Sequence, residues 1–193
     1  MKLIAGTTPS SVNIPADPYI FAANKVQTAT ITVKFTTAGD TDGYNDPACA
    51  TCIAWPPDAK TAMEHAAFIW ANTITSDVDI VIVANWRPFT STTALGQTYG
   101  YALVNFGTTS IPRYQDDTYF ATALANKMIG NDLSPGYDDI FADFNSKRTD
   151  WFFGLYGGAT NAEYDFVSSA VHEIAHGLGF NTTAKDADES CYT

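Results

Sequence analysis

One segment near the C-terminal end constrains this chain more than any other. From Phe166 to Leu178 the residues suit a helix, and Val171, Ile174, Ala175 and Leu178 are apolar, so that helix can pack into a core. Asp165 stands where it can cap the start. Gly179 stands where it can end the helix in a left-handed turn that swings the chain back. Inside the segment lies His172-Glu173-Ile174-Ala175-His176. Residues four apart share one helix face, one turn apart, so the two imidazoles lie together and Glu173 projects beside them. A fold that buries this helix must house two histidines and a carboxylate at one spot.

That combination has a definite chemistry. Two imidazoles one turn apart can bind one ion, and zinc suits them while keeping a coordination position open for water. A carboxylate beside that water can take its proton as a polarised carbonyl is attacked. The plain alternative is a pair of histidines on a solvated helix face. Two considerations oppose it. Adjacent ionisable groups packed among apolar neighbours are costly without an ion. A chance match to the pattern is also expected in under about 1% of chains this size.

The remaining sequence reads as globular. Its 193 residues suffice for one domain with a sizeable core, and 46% hydrophobic residues are too many for disorder. Ten basic residues against 21 acidic ones, a formal net charge of −11, argue against nucleic acid as a partner, because phosphate contacts need clustered Lys and Arg. No apolar run approaches the ~20 residues of a membrane helix. The apolar stretch between Met1 and Gly6 is too short for a signal peptide, so either a signal has been removed or the chain is a fragment.

Of the three cysteines, Cys49 and Cys52 form a Cys-x-x-Cys pair without the second pair a structural zinc site would need. Ala54-Trp55-Pro56-Pro57 follows, which does not suit a redox motif, so the pair reads as a loop disulfide. Cys191 is left unmatched. The oxygen-rich loop Asp40-Thr41-Asp42-Gly43-Tyr44-Asn45-Asp46 is a candidate for Ca2+, although its spacing is not that of an EF-hand.

Residues 1–24 read as an irregular lead-in. Residues 26–36 alternate as a half-buried strand, and 38–57 as a Pro- and Gly-rich loop. Asp58 is a candidate cap for a helix to about Ile74, with Met63, Ala66, Ala67, Trp70 and Ile74 facing the core and His65 off that stripe. Val78–Trp86 and Tyr99–Phe106 read as strands. A helix capped by Asp117 or Thr118 runs to Ile129 and ends at Gly130-Asn131, followed by a short strand at 139–145. Trp151–Gly158 reads as an aromatic edge segment or loop, and the last helix spans 166–178. This order predicts one α+β (α/β-like) domain with a mixed sheet.

From His172 through Phe180 the chain resembles metzincin-type zinc metallopeptidases, which read His-Glu-x-x-His-x-x-Gly-x-x-His. More closely, it resembles large secreted bacterial proteins of that superfamily reading His-Glu-x-x-His-Gly-Leu-Gly-Phe. Weaker similarity lies in Ala66–Trp70, Thr75–Val78, Ala123–Asn126, Asp138–Ile140, Phe144–Ser146 and Asp165–Val167. The resemblance implies a metzincin-like zincin fold, a twisted mixed β-sheet with two long helices, filling residues 25–193 as a catalytic domain. It implies Zn2+ on His172 and His176, Glu173 as the catalytic base, and a protein or peptide substrate lying along a sheet edge above the metal. It also implies a secreted protein.

The pattern departs from the family at Thr182, where the third histidine would fall. The third ligand is then expected from Asp186, Asp188 or Glu189, or from outside this chain. No methionine follows the motif, so a C-terminal subdomain is expected to be missing or incomplete. Two functions follow. One is zinc-dependent hydrolysis of peptide bonds. The other is a non-catalytic binding or adhesion domain on the same fold, which the aromatic run Trp151–Tyr156 and the incomplete ligand set would suit.

Overall fold

The computed structural model describes residues 28–40, 49–106 and 118–180, and the backbone of 2–4. The calcium-loop residues 41–46, the candidate ligands Asp186, Asp188 and Glu189, Thr182 and Cys191 lie outside the described residues.

The structure is a mixed α+β fold built on a five-stranded sheet of order β1-β4-β7-β3-β2. Its strands are β1 (Lys2–Ile4), β2 (Ile31–Phe35), β3 (Ile80–Arg87), β4 (Ala94–Gly100) and β7 (Ile140–Asn145). β2, β3 and β7 run parallel, β4 is antiparallel to β7, and β1 is antiparallel to β4 on the outer side. A parallel pair needs a crossover, and α1 (Pro57–Ala71) supplies it between β2 and β3. Two small ribbons complete the described strands, β5 (Leu103–Asn105) with β6 (Tyr119–Ala121), and β8 (Trp151–Phe152) with β9 (Tyr164–Asp165). The remaining helices are α2 (Thr122–Ile129) and α3 (Phe166–Gly177).

The period of two sorts the sheet residues by face. Ile80, Ile82, Ala84 and Trp86 of β3 and Ile140, Ala142 and Phe144 of β7 join Met63, Ala66 and Ala67 of α1 and Phe166, Val167, Ala170 and Ile174 of α3 in one core. Trp70 packs partly buried against it, so the stripe read from the sequence holds to Trp70; Ile74 also packs there but lies beyond α1, which ends at Ala71 rather than near Ile74. The opposite face is polar at its centre, with Asn85, Asp143 and Asn145 all at 3% exposure or less.

Several local readings are corrected. Asp58 does not cap α1. The N-cap is Pro56, which has no side-chain acceptor, and Asp58 lies inside the first turn after Pro57, whose preset φ suits the first helical position. The strand read at 99–106 is broken. Thr122 Oγ1 donates to Ala102 O at 3.0 Å and accepts from Ala102 N at 3.1 Å, taking both main-chain groups out of any ladder. The sheet strand lies earlier, at Ala94–Gly100, and the helix read from 117 or 118 is preceded by β6, starting at Thr122. Residues 2–4 form a strand on the outer edge of β4 rather than irregular chain. Cys49 and Cys52 are disulfide-bonded and buried, as read.

Candidate metal centre

Local chemistry sets the ends of α3. Asp165 accepts a hydrogen bond from Ser168 N at 2.7 Å, the expected N-cap. At the other end Gly179 takes φ 105°, Phe180 N donates to Ala175 O at 2.9 Å, and Gly179 N donates to His176 O at 3.0 Å. That pair of bonds is a Schellman turn, and it requires a left-handed residue where Gly179 stands. Between its ends α3 is clamped. Trp70 Nε1 on α1 donates to Val171 O at 3.0 Å. Gly177 lies so close to β7 that a Cβ there would come within 2.4 Å of Ile140 Cγ2.

The two histidines converge. His172 Nε2 and His176 Nε2 are 2.9 Å apart, with the rings nearly perpendicular at 88°. His172 is exposed and His176 is 8% exposed, so the pair opens from the core towards solvent. The turn at Gly179 delivers the Phe180 carbonyl to His176 Nδ1 at 2.8 Å. A carbonyl only accepts, so Nδ1 carries a proton and Nε2 is the ring nitrogen that faces His172. Burial, and secondarily the charge of His176, lowers the pKa of His172, which favours the neutral form a metal requires.

These residues fit zinc. Two imidazole Nε2 atoms point at one place, and one of them is oriented by a backbone carbonyl, the usual outer partner of a ligating histidine. Among the described residues no group of three His, Cys, Asp or Glu gathers at one point. The structure therefore brings together His172 and His176, and shows no third such group with them among the described residues.

Glu173 follows His172 on α3, and its side chain packs against β4. Its side chain is fully buried, and Oε2 accepts a hydrogen bond from Thr98 Oγ1 at 2.8 Å. A Cβ on Gly96 would come within 2.9 Å of Glu173 Cγ and 3.1 Å of Oε1. Gly96, Thr98 and the Phe180 carbonyl escaped the sequence reading. Only the last had a signal, in the turn expected at Gly179.

His65 is half-buried on α1 with its ring 5.4 Å from that of Tyr156, and burial lowers its pKa. The aromatics of 151–156 are less exposed than their composition suggested. Trp151 is buried and Phe153 partly so, their rings 5.1 and 5.4 Å from that of Phe166, whereas Tyr156 is exposed. No helix among the described residues is long and apolar enough to cross a membrane. Compared with family models, curated proteins and solved structures, the chain matches none of them.

Proposed function

We propose that this chain is a zinc-dependent metalloendopeptidase domain of metzincin-like zincin architecture, acting outside the cell on protein or peptide substrates. The observation that carries the reading is the convergence of His172 Nε2 and His176 Nε2 on the helix that also bears Glu173, whose carboxylate is held by Thr98 of β4. The Cys49–Cys52 disulfide suits an oxidising compartment.

Zinc, when bound, supplies positive charge that polarises a peptide carbonyl and acidifies a water. The chain does the rest. His172 and His176 hold the ion, and the Phe180 carbonyl keeps His176 in the tautomer that ligates through Nε2. Glu173 takes the proton of the attacking water and passes it to the leaving amine. A buried carboxylate suits this exchange, because it needs no solvent reorganisation to accept and return a proton.

The competing reading, a binding domain without turnover, loses one of its supports. Trp151 belongs to the core and Phe153 packs partly buried against it. The test is zinc stoichiometry of the purified chain, measured by elemental analysis with His176→Ala as control, followed by chelator-sensitive cleavage of a denatured protein substrate. One equivalent of zinc that is lost in the control, together with cleavage, is expected. Zinc without cleavage selects the binding domain. No zinc in either protein rejects the metal centre in this chain.

A further inference from the structure

We propose that Thr98 is the positioning residue for Glu173, and that Gly96 holds open the space its carboxylate occupies; the inference rests on the peptidase reading above. Gly96 and Thr98 are two apart on β4, so both face α3. The strand is pinned to the central strand β7 at these very positions, Gly96 opposite Phe144 and Thr98 opposite Ala142. Glu173 is thus met by an immobile wall. Thr98 Oγ1 donates to Oε2 at 2.8 Å, and the absent side chain of Gly96 leaves room for Cγ and Oε1.

The donor's identity matters. A hydroxyl orients a carboxylate while leaving its negative charge in place, whereas a cation there would weaken the base. Threonine is also stiff at χ1, so its hydroxyl direction is set by the strand rather than by its own rotamer choice. Burial against β4 by itself would be served as well by valine, which has the same shape and no donor.

The experiment uses the full chain with Thr98→Val and Thr98→Ser. Thr98→Val is expected to keep its zinc, to lower kcat about 10–100-fold and to leave KM within about twofold, since the substrate does not touch the hydroxyl. Thr98→Ser is expected to recover most of the loss. A second measurement needs no turnover. Thr98→Val is expected to lower Tm by about 3–10 °C in the wild-type background, and to lower it little or not at all in a Glu173→Leu background, where the acceptor is gone.

Additive Tm shifts overturn the contact itself. Coupled shifts with unchanged kcat overturn its positioning role. A wild-type chain that binds zinc but cleaves nothing overturns the peptidase reading and the catalytic half of this one, and the Tm cycle separates that outcome from failure of the contact.

Discussion

Strand β4 serves two buried carboxylates, one on each face of the sheet, and the two are held differently. On one face Gln97 Nε2 donates to Asp143 Oδ2 at 2.7 Å, and Asn85 Nδ2 on β3 donates to Oδ1 at 2.8 Å. The Arg87 guanidinium lies 3.6 Å away. On the other face the next residue, Thr98, offers a hydroxyl to Glu173. Asp143 knits three neighbouring strands together, since Asn85, Gln97 and Asp143 come from β3, β4 and β7. Glu173 comes from the helix that carries the converging histidines. Two carboxylates at similar depth thus have different partners, and the neighbours, not the burial, tell them apart.

Single substitutions break the comparison most sharply. Glu173→Gln is expected to lower cleavage by about 10²–10⁴-fold while zinc content stays at the wild-type level, because neither histidine is touched. Its unfolding midpoint is expected to move little, since the glutamine carbonyl can still accept from Thr98. Activity and elemental analysis on one preparation check both halves. A Glu173→Gln variant that cleaves normally removes Glu173 from the chemistry.

Asp143→Ala is expected to do the reverse. It strands the buried amide of Asn85, the part-buried amide of Gln97 and the Arg87 charge, which costs about 3 kcal/mol. Urea denaturation measures that loss. Zinc bound per folded molecule is expected to stay as in the wild type. An Asp143→Ala protein that unfolds normally would mean that the network is ornamental, and a loss of zinc from the folded fraction would mean that the two faces are coupled.

The same contrast explains what was legible in the sequence. Helix α3 was readable to within a residue because its determinants are local: Asp165 caps a residue three positions on, and Gly179 makes its own turn. β3 was readable because Ile80–Ala84 is a continuous apolar run, and β7 because apolar residues recur along a short segment, although Asp143 and Asn145 make one of its faces polar. β4 was missed. Ala94-Leu95-Gly96-Gln97-Thr98-Tyr99-Gly100 has two glycines and no clean alternation. Its start depends on a distant residue, since Asn145 Nδ2 donates to Ala94 O at 2.9 Å and to Ser91 O at 3.2 Å, tying the connection to β7. The half of the site that lies on α3 was therefore visible, and the half on β4 was not, because partners 75 residues apart in sequence leave no periodic trace.

A third substitution sharpens the comparison by moving the helix rather than its partners. Gly177→Ala would drive a methyl into Ile140, whose Cγ2, Cγ1 and Cδ1 all lie within 2.9 Å of the added atom. Ile140 is fully buried with nowhere to retreat, so a loss of about 1–3 kcal/mol is expected. Because α3 must lift off β7, cleavage is expected to fall as well, even though Gly177 touches neither metal nor substrate. A variant that loses stability but keeps full activity would show that the helix tilts about its histidines instead of lifting.

The smallest effect concerns a third buried carboxylate, Asp139, at the start of β7. Its Oδ1 accepts from Asn126 Nδ2 at 2.9 Å and its Oδ2 from Val81 N at 2.9 Å. Burial nevertheless raises its pKa above the ordinary carboxylate value, helped by the nearby charges of Asp132 and Asp138, and these outweigh the two hydrogen bonds that lower it. A carboxyl with a raised folded-state pKa holds its proton longer folded than unfolded. Its contribution to stability is full below the unfolded-state value and is lost as pH rises through the folded-state value. Asp139→Asn removes that titration. The stability of the wild type relative to this variant is therefore expected to decline as pH climbs from the ordinary aspartate range through the raised value, then to level off. Urea midpoints of both proteins across that range measure it. A difference that grows with pH would mean that the hydrogen bonds outweigh burial, and would make Asp139 a second Asp143 rather than a carboxylate strained by its surroundings.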